Sequence, residues 1–458
     1  MSDSPSVSED VKKSAPKSES SSDKKTLIDQ AKEVLKKNWT GKYTRPAIPL
    51  YPHQWSWDSA FIAIGCAHYD LERAEKELQR LFTGQWDNGM VPHIVYNQQE
   101  DIDYFPGPEF WRTDAVKGAP DDPATSGICQ PPIHATAIRR VLENATDRVV
   151  AQEFAADLFP KLKKWHNFLY DERDPNDEGL VYIRHPWASG QDNSPSWDEA
   201  LNRIKLTEEE RPEYERTDDK YVESAERPTD TSYDRYAYLI DFFRLRDYDE
   251  EKIRQDGCPF MVQDVLFNSV LCQAGRDMAQ IAEWLEKDPE PFYKQAKKTA
   301  KAINNKLWDD NHGIYVSYDM VSGEQIEVHM LSGFLPLFAG VPSPIRAERI
   351  YKYLNTRSFA RVKGSYLAVP NYDRREPDFS QRKYWRGPIW INMNWLLYQG
   401  LRRYGYKEYN RLIKKSVIKL ASEYGFYEYY NPESGEGYGA KDFSWSAALL
   451  IDILHDKE

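Results

Sequence analysis

The sequence predicts an all-α protein, a closed barrel of paired helices with its chemistry carried by the loops at one end. Three observations lead there. Apolar residues recur at helical spacing from Thr26 almost to the C-terminus, strand-like stretches are few and short, and the loops between helices are uneven and gather aromatic and acidic residues. No fixed repeat length is present, which disfavours an open helical array. A length of 458 residues permits up to roughly three domains, yet no Gly-, Ser- or Pro-rich linker follows the first residues. Residues 26–458 therefore read as one domain with a few short β-hairpins.

Residues 1–25 contain nine serines with Lys, Asp and Glu and almost nothing apolar larger than Val, the composition of a disordered tail. The tail has acidic residues and no Arg, unlike an organellar transit peptide. The stripe Leu27, Ile28, Ala31, Val34, Leu35 begins the first helix. Helices are expected near 57–69, 71–83, 133–145, 150–170, 233–246, 261–286, 291–308, 344–355, 386–404, 408–424 and 443–455. Strand-like pieces lie at Leu180–Ile183 and Ile314–Tyr318. The polar stretch from about 207 to 235 is long enough to be a lid.

Aromatics make up 14% of the chain, with 30 Tyr, 18 Phe and 14 Trp, more than a core requires. Rings with a polar edge suit a sugar ligand, and an interface between identical subunits would use the same residues. The net charge of −12 excludes bulk attraction to nucleic acid or anionic lipid, so an anionic ligand must be met by a local basic group. Cys66, Cys129, Cys258 and Cys272 have no regular spacing and no signal peptide is recognisable, which together predict reduced thiols in a cytoplasmic protein. No apolar run reaches the ~18 residues of a membrane span. Without a secretory signal, the sequons at Asn38 and Asn144 are expected to be idle.

The segment Trp187–Trp197 places Asp192 between turn-forming residues and two indoles. Apolar surroundings raise a carboxyl pKa, which suits a proton donor at neutral pH, while an Asx-turn is the plainer alternative. Glu428 stands among four aromatics in Phe426–Tyr430, either as a second functional carboxylate or hydrogen-bonded to its tyrosine neighbours. Glycoside hydrolysis needs such a pair. Tyr51, Trp55 and Asp58 could wall a sugar pocket, although Asp58 equally fits a helix cap. His93, after Trp86 and a turn, and Gln130 lie in further loops at helix ends. Gly435–Ala440 imitates a dinucleotide fingerprint without a preceding strand, and Asp309–Gly313 begins like a calcium loop with Met320 where Glu is needed. The nine histidines show no paired-ligand spacing, so no catalytic metal and no cofactor are expected.

The runs Gln54–Asp58, Ala188–Pro195, Tyr384–Trp390, Tyr427–Pro432 and Phe443–Ser446, in this order, resemble glycoside hydrolase family 63. The resemblance implies an (α/α)6 barrel and hydrolysis with inversion, with Asp192 as general acid and Glu428 as general base. It also implies that Tyr51, Trp55, Asp58, His93, Gln130, Trp187, Trp385 and Trp390 line the sugar subsite. In size and motif wording the chain is most similar to compact members acting on mannosylglycerate and glucosylglycerate. A glycerate carboxylate calls for a guanidinium fork, and Arg227 and Tyr233, with Tyr384 opposite, are placed there, though Arg235 shares the loop. An α-glucosidase or trehalase-like enzyme for neutral disaccharides and a sugar-binding protein without catalysis are the rival readings.

Overall fold

The computed structural model describes residues 21–97, 103–360 and 368–456. The 1–25 boundary lies partly outside these, and where it can be compared it moves. Helix α1 spans Ser21–Asn38, five residues earlier than its apolar stripe indicates. Ser21–Lys25 carry no apolar signal, but Asp23 in the first turn complements the helix dipole.

Then follow α2 (Ser56–Cys66), α3 (Leu71–Leu81), the single turn α4 (Pro108–Trp111), α5 (His134–Asn144), α6 (Arg148–Arg173), α7 (Asp198–Asn202), α8 (Asp230–Arg244) and α9 (Glu250–Gln255). Six more complete the set: α10 (Val265–Trp284), α11 (Glu290–Lys306), α12 (Pro344–Leu354), α13 (Ile391–Arg403), α14 (Lys407–Tyr424) and α15 (Ser444–His455).

Their packing closes a ring. α2 packs on α5, α5 on α10, α10 on the 3₁₀ segment Leu331–Leu337, that segment on α13, α13 on α15, and α15 back on α2. Outside it, α1 covers α15, α3 covers α2, α6 covers α5, α11 covers α10 and α14 covers α13. The sixth outer helix, α12, lies against a strand, β5, that itself packs on the 3₁₀ segment. This is the expected (α/α)6 barrel. Composition explains the layers. α2 is largely apolar and every residue in it is buried, whereas outer α3 buries Ala74, Leu78 and Leu81 with Arg73 and Glu77 and exposes Glu72 and Lys76. Phe61, Ile62 and Ile64 of α2 are fully removed from water, contributing about 1.5–3 kcal/mol per side chain.

Strands are short. β1 (Gln54–Trp55) pairs β2 (Ile94–Val95). β3 (Val262–Gln263) joins β6 (Ser317–Asp319) and β7 (Glu324–Ile326), while β4 (Trp308–Asp309) pairs β5 (Ile314–Tyr315). β8 (Tyr427–Tyr430) and β9 (Gly437–Lys441) form a hairpin. Several expectations shift accordingly. The stretch 314–318 divides between two sheets, and of 180–183 only Ile183 pairs, with Val262. The helix expected at 261–286 starts at Val265, because Asp264 caps it by accepting from the Leu266 and Phe267 N–H groups. The one expected at 386–404 starts at Ile391, after Gly387 and Pro388. A strand does precede Gly435–Ala440, but it makes an antiparallel hairpin rather than a nucleotide-binding βαβ unit.

Candidate active site

Pairing of β1 with β2 sets Trp55 opposite Ile94, and the Ser56 N–H bonds the His93 carbonyl at 2.9 Å, so two separate aromatic loops become one wall. Gln130 joins it, its Oε1 accepting from the Trp57 N–H at 3.3 Å. Asp58 is not a helix cap. α2 starts at Ser56 after Trp55, which leaves Asp58 in the first turn, facing the pocket. Burial, then the Glu428 charge, raises its pKa.

Asp192 arrives on a loop whose backbone turns at Gly190, with φ of 71°; a Cβ there would sit 2.6 Å from the Trp57 ring. Of its two flanking indoles only Trp187 faces the pocket. Trp197 is buried behind, its Nε1–H donating to the Gln191 carbonyl at 2.8 Å. Asn193 Oδ1 accepts from the Trp385 N–H at 2.9 Å, tying this loop to the next wall. Trp385 lines the pocket. Trp390, expected beside it, does not: it lies a layer behind, fully buried and stacked on Trp385 with centroids 3.6 Å apart. Its role is to hold the Trp385 plane.

Glu428 sits on strand β8 rather than in a loop. Its Oε1 accepts from the Tyr51 hydroxyl at 2.7 Å and its Oε2 from the Ala440 N–H of β9 at 3.0 Å. That approach requires Gly439, since a Cβ there would lie 2.3 Å from Glu428 Oε2. The Tyr51 and Tyr384 hydroxyls are 3.2 Å apart. Tyr51 gives its one proton to Glu428, so Tyr384 is the donor between them.

Both carboxyls open on this pocket and both are raised by burial, but unequally served. Asp192 is pushed up to about 7 by burial, opposed by Arg227 and reinforced by the Glu428 charge. Glu428 is raised by burial too, yet Arg227, Tyr51, Ala440 and Tyr384 all favour its ionised form. Such an inequality between two neighbouring carboxyls is what acid–base chemistry uses. Burial holds His93 well below the ordinary imidazole range, so it faces the pocket neutral.

Arg227 decides the remaining side. Buried, it lies over the Tyr384 ring at 4.3 Å, donates from Nε to Asp218 at 2.9 Å and from Nη1 to the Tyr51 hydroxyl at 3.1 Å. Among the described residues nothing accepts from its Nη2. Arg216 shares the same Asp218 and stacks on Tyr233, which also lines the pocket. Arg216 also bonds Asp230 at 2.7 Å, so Asp218 and Asp230 together balance the two guanidinium groups. The polar stretch ends at Asp230, where α8 begins, so Tyr233 and Arg235 are helical; Arg235 bonds Asn202 and does not reach the pocket. Sequence reasoning missed Trp57, Tyr104, Phe105, Phe443 and Trp445, which also line it. Trp57 and Trp445 lay inside quoted motifs, but nothing in the sequence marks which indole of a pair turns inward.

The model of the mannosylglycerate hydrolase MGH1-like glycoside hydrolase domain matches residues 51–446. A mannosylglycerate hydrolase of Rubrobacter radiotolerans is 49% identical over 93% of this chain and 96% of its own length. A glucosylglycerate hydrolase of Mycolicibacterium hassiacum is 36% identical over 93% of this chain and 97% of its own. The crystal structure of the GH63 mannosylglycerate hydrolase of Thermus thermophilus, in complex with Tris and D-glycerate, is 44% identical and superimposes with a TM-score of 0.86 over 93% of this chain and 99% of that one. Motif order, barrel and matched sequence thus converge, and the chain belongs to the MGH1-like family of glycoside hydrolases within GH63.

Proposed function

We propose that this enzyme hydrolyses an α-linked glycoside of glycerate, mannosylglycerate or glucosylglycerate, with inversion at the anomeric carbon. The observation that carries the choice of an anionic aglycone is Arg227, a buried guanidinium that lines the pocket and whose Nη2 has no acceptor among the described residues. The names of the relatives agree with it. Asp192 donates its proton to the glycosidic oxygen as the C–O bond breaks, releasing glycerate. Glu428 takes a proton from a water molecule whose oxygen attacks the anomeric carbon from the opposite face. Tyr51, Trp55, Asp58, His93, Gln130, Trp187 and Trp385 hold the sugar, while Arg227, Tyr233 and Tyr384 meet the glycerate. Four free, buried cysteines and a buried Asn38 support a cytoplasmic setting.

The test is hydrolysis of mannosylglycerate, glucosylglycerate, trehalose and maltose side by side. Turnover confined to the glycerate glycosides is expected, with Arg227→Lys raising KM for them about tenfold to a hundredfold through loss of the fork. Equal turnover of the neutral disaccharides, or indifference to Arg227→Lys, would transfer the reading to a neutral α-glucosidase.

A further inference from the structure

Outside the pocket, one cluster of metal-ligating side chains is built to a standard its hydrogen bonds do not account for. It lies at the turn between β4 and β5. Asp309 fixes that turn with one oxygen alone: Oδ1 accepts from the N–H groups of Asn311 at 2.8 Å and His312 at 3.1 Å. Its other oxygen, Oδ2, is aimed at two imidazoles, 2.6 Å from His312 Nδ1 and 3.6 Å from His329 Nε2. The three ligand atoms all lie within 4.8 Å of one another.

His329 is the telling member. It is only 8% exposed, and its Nε2 has no hydrogen-bond partner among the described residues. Its Nδ1 is 2.8 Å from the Tyr353 hydroxyl, which also lies 3.2 Å from Asp373 Oδ2. Tyr353 thereby holds the ring plane, with Nε2 directed at Asp309. A buried imidazole nitrogen left without a hydrogen bond beside a carboxylate is unfavourable, and a cation between them would satisfy both. A carboxylate behind a histidine, fixing tautomer and ring plane, is how metal ligands are commonly supported.

We propose that Asp309, His312 and His329 bind one divalent transition-metal ion of the zinc class. Two imidazoles and a carboxylate suit zinc rather than magnesium or calcium. Ligand atoms about 2.1 Å from a tetrahedral ion stand about 3.4 Å apart. The Asp309–His329 separation already matches, and His312, whose side chain is half exposed, turns outward to open the shorter one. The fourth position faces solvent beside His312 and takes water. None of the three residues lines the catalytic pocket. The ion would be structural. The His329 carbonyl accepts from the Asp373 N–H at 3.2 Å and the Leu331 N–H bonds the Asn371 carbonyl at 2.9 Å. Asn371 in turn holds Gln191, next to Asp192, at 3.2 Å and the Trp385 carbonyl at 3.1 Å. Metal at this turn would therefore add stability to this strip, while Asn371 holds the Asp192 loop through its own side chain with or without the ion.

The full-length enzyme, stripped with chelator and desalted, is titrated with zinc chloride by calorimetry and melted with and without it. One equivalent per chain and a raised Tm are expected. Asp309→Asn, which keeps the turn through its side-chain carbonyl, and His312→Gln, at a half-exposed position, should each weaken binding about tenfold or more and abolish the Tm rise. Their kcat with glycoside should equal that of the parent. No binding by the parent, or binding equally tight in both variants, overturns the proposal.

Discussion

At the scale of residues, Asp192 and Glu428 differ in what donates to them. Glu428 receives a phenol and a backbone N–H, while Asp192 is raised to about 7 with fewer compensating donors. The acid must be protonated and the base ionised, so kcat/KM should be bell-shaped in pH. Its basic limb should fall through about 7 as Asp192 loses its proton, and its acidic limb should reflect a Glu428 raised above the ordinary carboxylate range. Asp192→Asn should lower kcat about 10²- to 10⁴-fold and remove the basic limb. Linkage adds a second readout. A group with a raised folded-state pKa gives stability that is present at low pH and lost as pH rises through about 7, so Asp192→Asn should be more heat-stable than the parent at pH 8 and should not be at pH 4. A basic limb that survives in Asp192→Asn would assign the acid elsewhere. At this scale much of the pocket lining was legible, because its aromatic and acidic residues stood together in short motifs that the fold brings to one pocket. Trp390 was not: a motif position shows that an indole is needed, and only packing shows that it supports Trp385 rather than the ligand.

At the scale of elements, the β8–β9 hairpin sets the base. Glu428 is held because β9 runs close enough to donate from Ala440, and Gly439, with φ of 67°, is what permits the approach. Gly439→Ala would drive a Cβ into the carboxylate in a backbone conformation that L-residues disfavour. It should lower kcat about a hundredfold with the far-ultraviolet circular dichroism unchanged, since displacing a catalytic group by an ångström has that order of cost. Unaltered kcat would remove this hairpin from the account. The outer helices were readable from their periodicity because each buries one stripe, the inner ones from long apolar runs, and their starts were misplaced where strand pairing or a side-chain cap intervened, as at Val265. β8 escaped notice because alternation cannot be seen in a run of aromatics that is buried on both faces.

At the scale of the whole molecule, the closed ring explains why functional residues so far apart in sequence meet. The connections between its helices meet at one pocket, and Tyr51, Asp192 and Arg227 come from three of them and Glu428 from strand β8. Five of the six inner positions were visible as helical patterns. The sixth, Leu331–Leu337, was not, because Gly333 and Pro336 disguise a buried 3₁₀ turn as a loop. The aromatic excess also has its explanation here, in rings packed around the pocket such as Trp57, Trp385, Trp390 and Trp445. In the proposed mechanism the ring assembles an acid and a base addressing one glycosidic bond, and the stereochemistry of the product reports on that directly. Mannosylglycerate is mixed with the enzyme and the released mannose is followed by proton NMR before mutarotation equilibrates it. The account predicts β-mannose first. Appearance of α-mannose first would contradict it, since retention requires one carboxylate to bond the sugar rather than activate water.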